Sequence, residues 1–264
     1  MFRRLMSPRA ALSQVSSTPS GVQRLDIAVR PARTLSELHE VVQLRHAAYG
    51  RHRAQHPEPR PDRYDFVENA VVLVAIDKGT GRVVGSLRAV LGDVGPIELD
   101  GYVTLPRAAL GVPAEAARLV VGRTRGRTVV KLALWKAFAR LCLGHGIDTM
   151  VLAARRPLDD DYAWLGFRDL HAEPQWFVPG GAFPDPHRVL MLPLAGVRES
   201  WCASSHDFYR FVVELVHPDI RPFSDDGMNP LARFAGCPMP TAAVAGRVVR
   251  TVAWPEDLSG WMPV

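Results

Sequence analysis

From Glu115 to His145 the chain reads EAARLVVGRTRGRTVVKLALWKAFARLCLGH, and this stretch restricts the fold more than any other. Ala116–Val121 predicts a short buried strand, Gly122–Thr128 a loop of glycine and arginine, and Val129–Leu143 a helix closed by Gly144 and Gly146. The helix follows from Val130, Leu134, Phe138 and Leu141 at helical spacing, with Lys131, Lys136 and Arg140 expected on more exposed positions. A helix begins with unpaired backbone N–H groups and a partial positive charge, so a glycine-bearing loop feeding one suits a phosphate. Arg123, Arg125, Arg127 and Lys131 add formal charge at the same place. A pyrophosphate or phosphopantetheine cradle and an ordinary basic loop both fit these residues.

The flanking pattern alternates strands and helices. Leu25–Arg30 predicts a first strand and Leu35–Tyr49 a helix capped by Thr34 or Ser36. Gly50–Arg63, with Pro57, Pro59 and Pro61, predicts a loop. Ala70–Asp77 and Arg82–Leu91 are valine-rich runs joined by Lys78-Gly79-Thr80-Gly81, a hairpin signature. Gly92–Pro113 is expected to be irregular. A buried strand at Asp148–Ala154 is expected to lie parallel to the central strand through a right-handed crossover. A short helix at Asp159–Leu165 and strands at Gln175–Val178 and Arg188–Leu194 follow. A helix from Glu199 or Ser204 to Val216 is expected to pack on the core or on a second subunit, and Pro218–Val264 has little pattern besides Ala243–Trp254.

At 264 residues the chain can bury a substantial core, and 47% hydrophobic residues with a mean hydropathy of -0.01 fit a globular protein. No apolar run has the length of a membrane span, so a cytoplasmic or at most peripheral protein is expected. The net charge of +5 favours acidic partners, yet no zinc-finger, basic-zipper or RNA-binding aromatic signature accompanies it, so no nucleic-acid partner is expected. Cys142, Cys202 and Cys237 are odd in number and far apart, which fits a reducing compartment. His39, His46, His52 and His56 lack a completed ligand spacing, and no metal is expected. His206-Asp207 reads as a helix cap. The first 24 residues, with arginine and serine but no acid, read as a disordered tail or a targeting segment.

The order of elements and two motifs resemble the GNAT N-acyltransferase superfamily. Arg123-Thr124-Arg125-Gly126-Arg127-Thr128 is similar to its R/Q-x-x-G-x-G/A loop, departing at Thr128, and Tyr162-Ala163-Trp164-Leu165-Gly166-Phe167 to its Y-x-x-x-G-F helix end. Asp62, Asp65, Arg88, Glu115 and Arg118 stand in the order of the acidic, arginine and E-x-x-R landmarks of acyl-homoserine-lactone synthases, and long-chain N-acyl amino acid synthases look at least as close. Ala114 stands where the lactone synthases carry tryptophan. The resemblance implies an α+β fold, a mixed twisted central sheet flanked by helices, over 25–194, with a helical and irregular extension over 195–264.

It also implies an enzyme that puts an acyl group, expected to be a fatty acyl chain, on an amino acid or related small amine; the amine attacks an acyl thioester, so the site must take a proton, stabilise an oxyanion and release a thiolate. Glu115 is the expected base and Tyr162 the expected acid. The donor, acyl-carrier-protein phosphopantetheine or acyl-CoA, is expected on Arg123, Arg125, Gly126, Arg127 and Thr128, with a backbone N–H of Val120 or Val121 on a splayed strand as oxyanion donor. Asp65, Arg88 and Arg118, with Asp62 beside them, are expected at the acceptor. Lys131, Lys136, Arg155 and Arg156 could add a docking surface for an acidic carrier protein, or, above all Lys136, could simply be solvated. Glu115 could equally be an ion-pairing partner of Arg118, Tyr162 a packing residue beside Phe167, Asp62 and Asp65 caps of a turn, and Arg88 an outward strand residue. A short-chain acetyltransferase, a lactone synthase and a non-catalytic binding protein of the same fold stay open on sequence.

Overall fold

The computed structural model describes residues 21–49, 59–179, 185–203 and 207–236. The expectations for His52, His56, His206, Cys237, Ala243–Trp254 and most of the proline loop fall outside them, as do residues 1–20 of the expected tail. Strand β1 (Ile27–Pro31) leads into helix α1 (Leu35–Tyr49), whose Leu38, Val41, Val42 and Arg45 face inward. Strands β2 (Ala70–Asp77) and β3 (Val83–Leu91) form the predicted hairpin. Its turn is tied by Asp77, whose Oδ1 accepts from the Thr80 backbone N–H at 2.8 Å and hydroxyl at 2.9 Å.

The excursion after β3 is more ordered than its glycines and prolines suggest. It holds a 3-10 turn at Glu98–Gly101 and the short helix α2 (Arg107–Leu110), packed by Ile97, Leu99, Leu105 and Leu110 into a smaller core with Ala70, Val90, Val151 and Met191. Strand β4 (Pro113–Val121) starts three residues before the expected strand, so Glu115 lies inside it. Helix α3 (Arg127–Gly144), β5 (Thr149–Ala154), α4 (Asp159–Trp164), β6 (Arg168–Asp169), β7 (Trp176–Phe177) and β8 (His187–Pro193) follow. The mixed sheet runs β1-β2-β3-β4-β5-β8-β6, with β7 also on β8, and only β4 and β5 pair in parallel, across α3. That is the α+β architecture expected, with β6 added.

Helix α3 departs from the amphipathic expectation. Residues 132–139 are buried all round, because one face lies on the sheet and the C-terminal segment covers the other. On the sheet side the approach is close: a Cβ on Gly85 of β3 would meet Val130 at 2.7 Å. On the other side the expected C-terminal helix divides into α5 (Val197–Ala203), α6 (Asp207–Tyr209) and a π turn at Arg210–Glu214. Phe208 and Phe211 of this segment enter the main core beside Phe138 and Trp201. Lys136 is therefore neither a docking nor a solvated residue. Its ammonium is buried and donates to the carbonyls of Phe211 at 2.8 Å and Leu215 at 2.5 Å, and its Nζ lies 2.9 Å from His217 Nδ1. Residues 22–24 sit against the same segment through the Gln23 N–H, which donates to Val216 O at 2.8 Å. No helix among the described residues is long and apolar enough to cross a membrane.

Candidate active site

The site begins with a fault in β4. Ser86 pairs with Val120 and Arg88 with Ala117, so Leu87 of β3 faces two residues, Arg118 and Leu119. Such a bulge bends its strand, and Arg118 carries the strain in a left-handed conformation with φ 53°. The parallel pairing to β5 covers only Pro113–Thr149, Ala114–Met150 and Glu115–Val151, although both strands continue. Beyond Glu115 the two strands splay, and β4 shows one edge to the gap. The Gly122 N–H donates to Val84 O at 2.9 Å, so strand alternation turns the Val120 N–H toward β3 as well, and the backbone groups of Leu119 and Val121 toward the gap. Of the two expected oxyanion donors, Val120 is thereby withdrawn and Val121 keeps the right direction.

The gap opens into a cavity of about 150 Å³ lined by Glu115, Arg118, Leu119, Tyr162, Trp135 and His187, among others. Behind its wall lies a buried ionic cluster. Arg45 from α1 binds both oxygens of Asp65 at 2.9 and 2.8 Å. The Arg88 guanidinium, with no exposed surface, reaches Asp65 at 3.2 Å, Asp62 at 3.3 Å and Glu98. Arg118 donates to Asp62 and to Glu98, both at 2.8 Å. Burial alone would raise the Asp62 pKa, but Arg88 and Arg118 outweigh it and hold the carboxyl well below its usual range.

Three arginines and three carboxylates balance in that cluster, and Glu115 is a fourth carboxyl that makes no ion pair among the described residues. It accepts from the Leu99 N–H at 2.8 Å. Burial, then repulsion from Glu98, raises its pKa to about 8. Tyr162 lines the same cavity, packed edge-on to Trp135 and Phe167, and burial first, then Tyr49 and Asp161, push its hydroxyl pKa up. Its phenol holds its proton at neutral pH. The cavity thus offers a carboxyl that titrates near pH 8 and a protonated phenol.

At the far end of β4, Arg123, Arg125, Gly126 and Arg127 are exposed, and Thr128 is half-buried as the second residue of α3. Gly126 caps the helix at φ 75° with nothing within 4 Å of a built Cβ, so the space over the helix start is open. Arg127 Nη2 donates to Val121 O at 3.4 Å, which ties the loop back to the gap.

Glu115, Arg118, Tyr162 and the open edge at Leu119 come together, then, around one cavity, and Val121 lies two residues further along that edge. Asp65 and Arg88 do not reach it. Both side chains are fully buried, so they can act on an acceptor only through Glu98 and Arg118. Asp62 and Asp65 also make the turn cap that the sequence allowed, with Asp62 Oδ1 accepting from the Tyr64 N–H and Asp65 from the Asp62 N–H. Of the expected docking residues, Lys131 pairs with Asp161 at 2.9 Å, Arg155 with Asp185 at 3.2 Å, and Arg156 stacks over Trp176. Sequence reasoning missed Tyr49, Glu98, Tyr102, Trp135 and His187. A signal existed for Glu98, a lone acid between the apolar Ile97 and Leu99. No group of three or more metal-ligating side chains occurs among the described residues.

The family model described as N-acyl amino acid synthase FeeM matches residues 40–176, just over half the chain. Among solved structures, FeeM, an N-acyl amino acid synthase from uncultured soil microbes, is 15% identical over 66% of this chain and 93% of its own, with a TM-score of 0.52. BjaI, a CoA-dependent acyl-homoserine lactone synthase, is 19% identical over 80% of this chain and 100% of its own, with a TM-score of 0.49. ElaA from Escherichia coli is 18% identical over 62% of this chain and 97% of its own, with a TM-score of 0.44. At these identities the likeness to solved structures concerns the fold. No match is found among curated protein sequences.

Proposed function

Because the chain belongs to the FeeM family of N-acyl amino acid synthases, and so is an N-acyltransferase of the GNAT type, we propose that it acylates the amine of an amino acid or related small amine from a phosphopantetheine thioester. The observation that carries this reading is the meeting of an open β4 edge, Glu115 and Tyr162 in one cavity. The donor arm lies along β4 in the gap, as an extended chain with amides pairs with a free strand edge. Arg123, Arg125, Arg127 and the N–H groups at Gly126–Thr128 hold its phosphate. The Val121 N–H meets the oxyanion that forms when the amine attacks the thioester carbonyl.

Glu115 takes the proton from the attacking amine, directly or through water, and a carboxyl that titrates near the working pH suits that task. Tyr162 gives its proton to the departing thiolate. Arg118 is the cation on the cavity wall that meets the acceptor's carboxylate, held there by Asp62 and Glu98, which Arg88 and Asp65 fix in turn. Residues 25–194 form the catalytic unit, and the described part of the extension that follows, through Phe208, Phe211 and the Lys136 contacts, buttresses α3. An acidic carrier protein would meet the exposed Arg123, Arg125 and Arg156.

One observation favours a second reading, transfer of a short acyl group. The cavity has the volume of about five water molecules, less than a long fatty chain occupies. The test is the purified protein with acyl-carrier-protein and CoA thioesters of graded chain length and a panel of amino acids, with products followed by mass spectrometry. An N-acyl amino acid product is expected, and its best donor length decides between the two readings. Thioester turnover without any N-acylated amine would sink both.

A further inference from the structure

Tyr49, the last residue of α1, reaches across the fold to the β4 edge. Its hydroxyl donates to the Leu119 carbonyl at 2.9 Å, and its side chain lines the same cavity as Glu115 and Tyr162. Leu119 stands immediately after the bulge, where the backbone faces the gap in place of β3. β5 has drawn away from this half-buried carbonyl, so the strand ladder supplies it no donor. Tyr49 supplies one from a helix otherwise occupied with the opposite part of the core.

We propose that Tyr49 closes the open β4 edge between turnovers and competes with the donor's pantetheine arm for the Leu119 carbonyl. The inference rests on the donor reading above. An arm lying along β4 brings amide N–H groups to the gap-facing carbonyls, and Leu119 O is one of them. Its other gap-facing neighbour, Val121 O, is covered in the same manner by Arg127 at 3.4 Å. Both gap-facing carbonyls are thus paired within the chain, and the arm replaces a side-chain hydrogen bond with its own. Tyr49 thereby lowers donor affinity while protecting the edge, and it acts as a positioning residue outside the proton transfers.

The test is Tyr49→Phe, which keeps the ring and removes the donor, assayed with an acyl-pantetheine and with the matching acyl-CoA. The donor KM is expected to fall about three- to tenfold, the weight of one net hydrogen bond, with the change in KM and not in kcat. A KM that stays the same or rises overturns the proposal. A collapse of kcat at constant KM overturns it too, because the phenol would then be serving Tyr162 as a proton relay. Tyr49→Leu repeats the measurement if the phenylalanine variant melts early. Wild-type protein inactive with every thioester would refute the donor reading itself, whereas an active wild type with an unmoved variant KM refutes only the role of Tyr49.

Discussion

Replacing Arg88 with methionine tests the ionic cluster behind the cavity. The guanidinium has no exposed surface and serves Asp62, Asp65 and Glu98 at once. Methionine fills much of the volume but leaves those carboxylates with Arg45 and Arg118 alone, two cations for three anions. Removing one partner of a buried pair costs roughly 3–5 kcal/mol. For a chain of this size each kcal/mol moves the melting temperature by about 2–4 °C, so a fall of about 6–20 °C is expected. The loss should depend on pH. Arg88 helps hold the folded-state pKa of Asp62 below its ordinary 3.8, a stabilisation that is whole above about pH 4 and fades as the pH falls through the folded pKa. Melting curves of wild type and variant should therefore converge in acid. Adding Glu98→Gln to Arg88→Met should restore part of the loss, since charge balance returns. A single variant within about 3 °C of wild type at pH 7 would refute the view that this network holds the site.

Glu115→Gln is expected to lower kcat/KM by about a hundredfold or more, and wild-type activity should rise with pH through about 8 as this carboxyl ionises. The same group has a stability signature of opposite sign to Asp62. Its folded pKa lies above its ordinary 4.5, so the wild type loses stability as the pH rises from about 4.5 to 8, and the glutamine variant should show a flatter melting-temperature profile there. Tyr162→Phe should reduce kcat by about a hundredfold with donor KM little changed, and a donor series with better leaving thiols should shrink the defect. Lys136→Met should cost about 1–3 kcal/mol by stranding the Phe211 and Leu215 carbonyls, read as a lower melting temperature and faster proteolysis of the C-terminal segment.

The sequence carried the order of elements well because each rests on a local pattern: the period of α1 reads from Leu38 to Arg45, and the β2–β3 hairpin from its valines and its glycine turn. The helix and glycine loop after β4 were legible for the same reason. Lys136 was not, since its burial comes from a segment 75 residues away, and helical periodicity sees only one helix at a time. Asp65 and Arg88 were recognised as special but not as fully enclosed, because enclosure depends on α1 and the 3-10 turn at Glu98–Gly101 closing over the same sheet face. Glu98 and Tyr49 escaped notice because neither belongs to a motif and each meets the site from a distant element.

What the amino-acid sequence determined by itself was therefore the fold, the family resemblance and the glycine- and arginine-bearing loop before α3, all of which follow from residues close together in the chain. The tertiary structure alone decided which candidates share a cavity. A bulge at Arg118 opens β4 from β5, three arginines and three carboxylates pair off behind the wall, and Glu115 remains as the carboxyl they leave over. Charge balance among groups brought together from 45 to 118 is a sum over space, and no local pattern along the chain contains it.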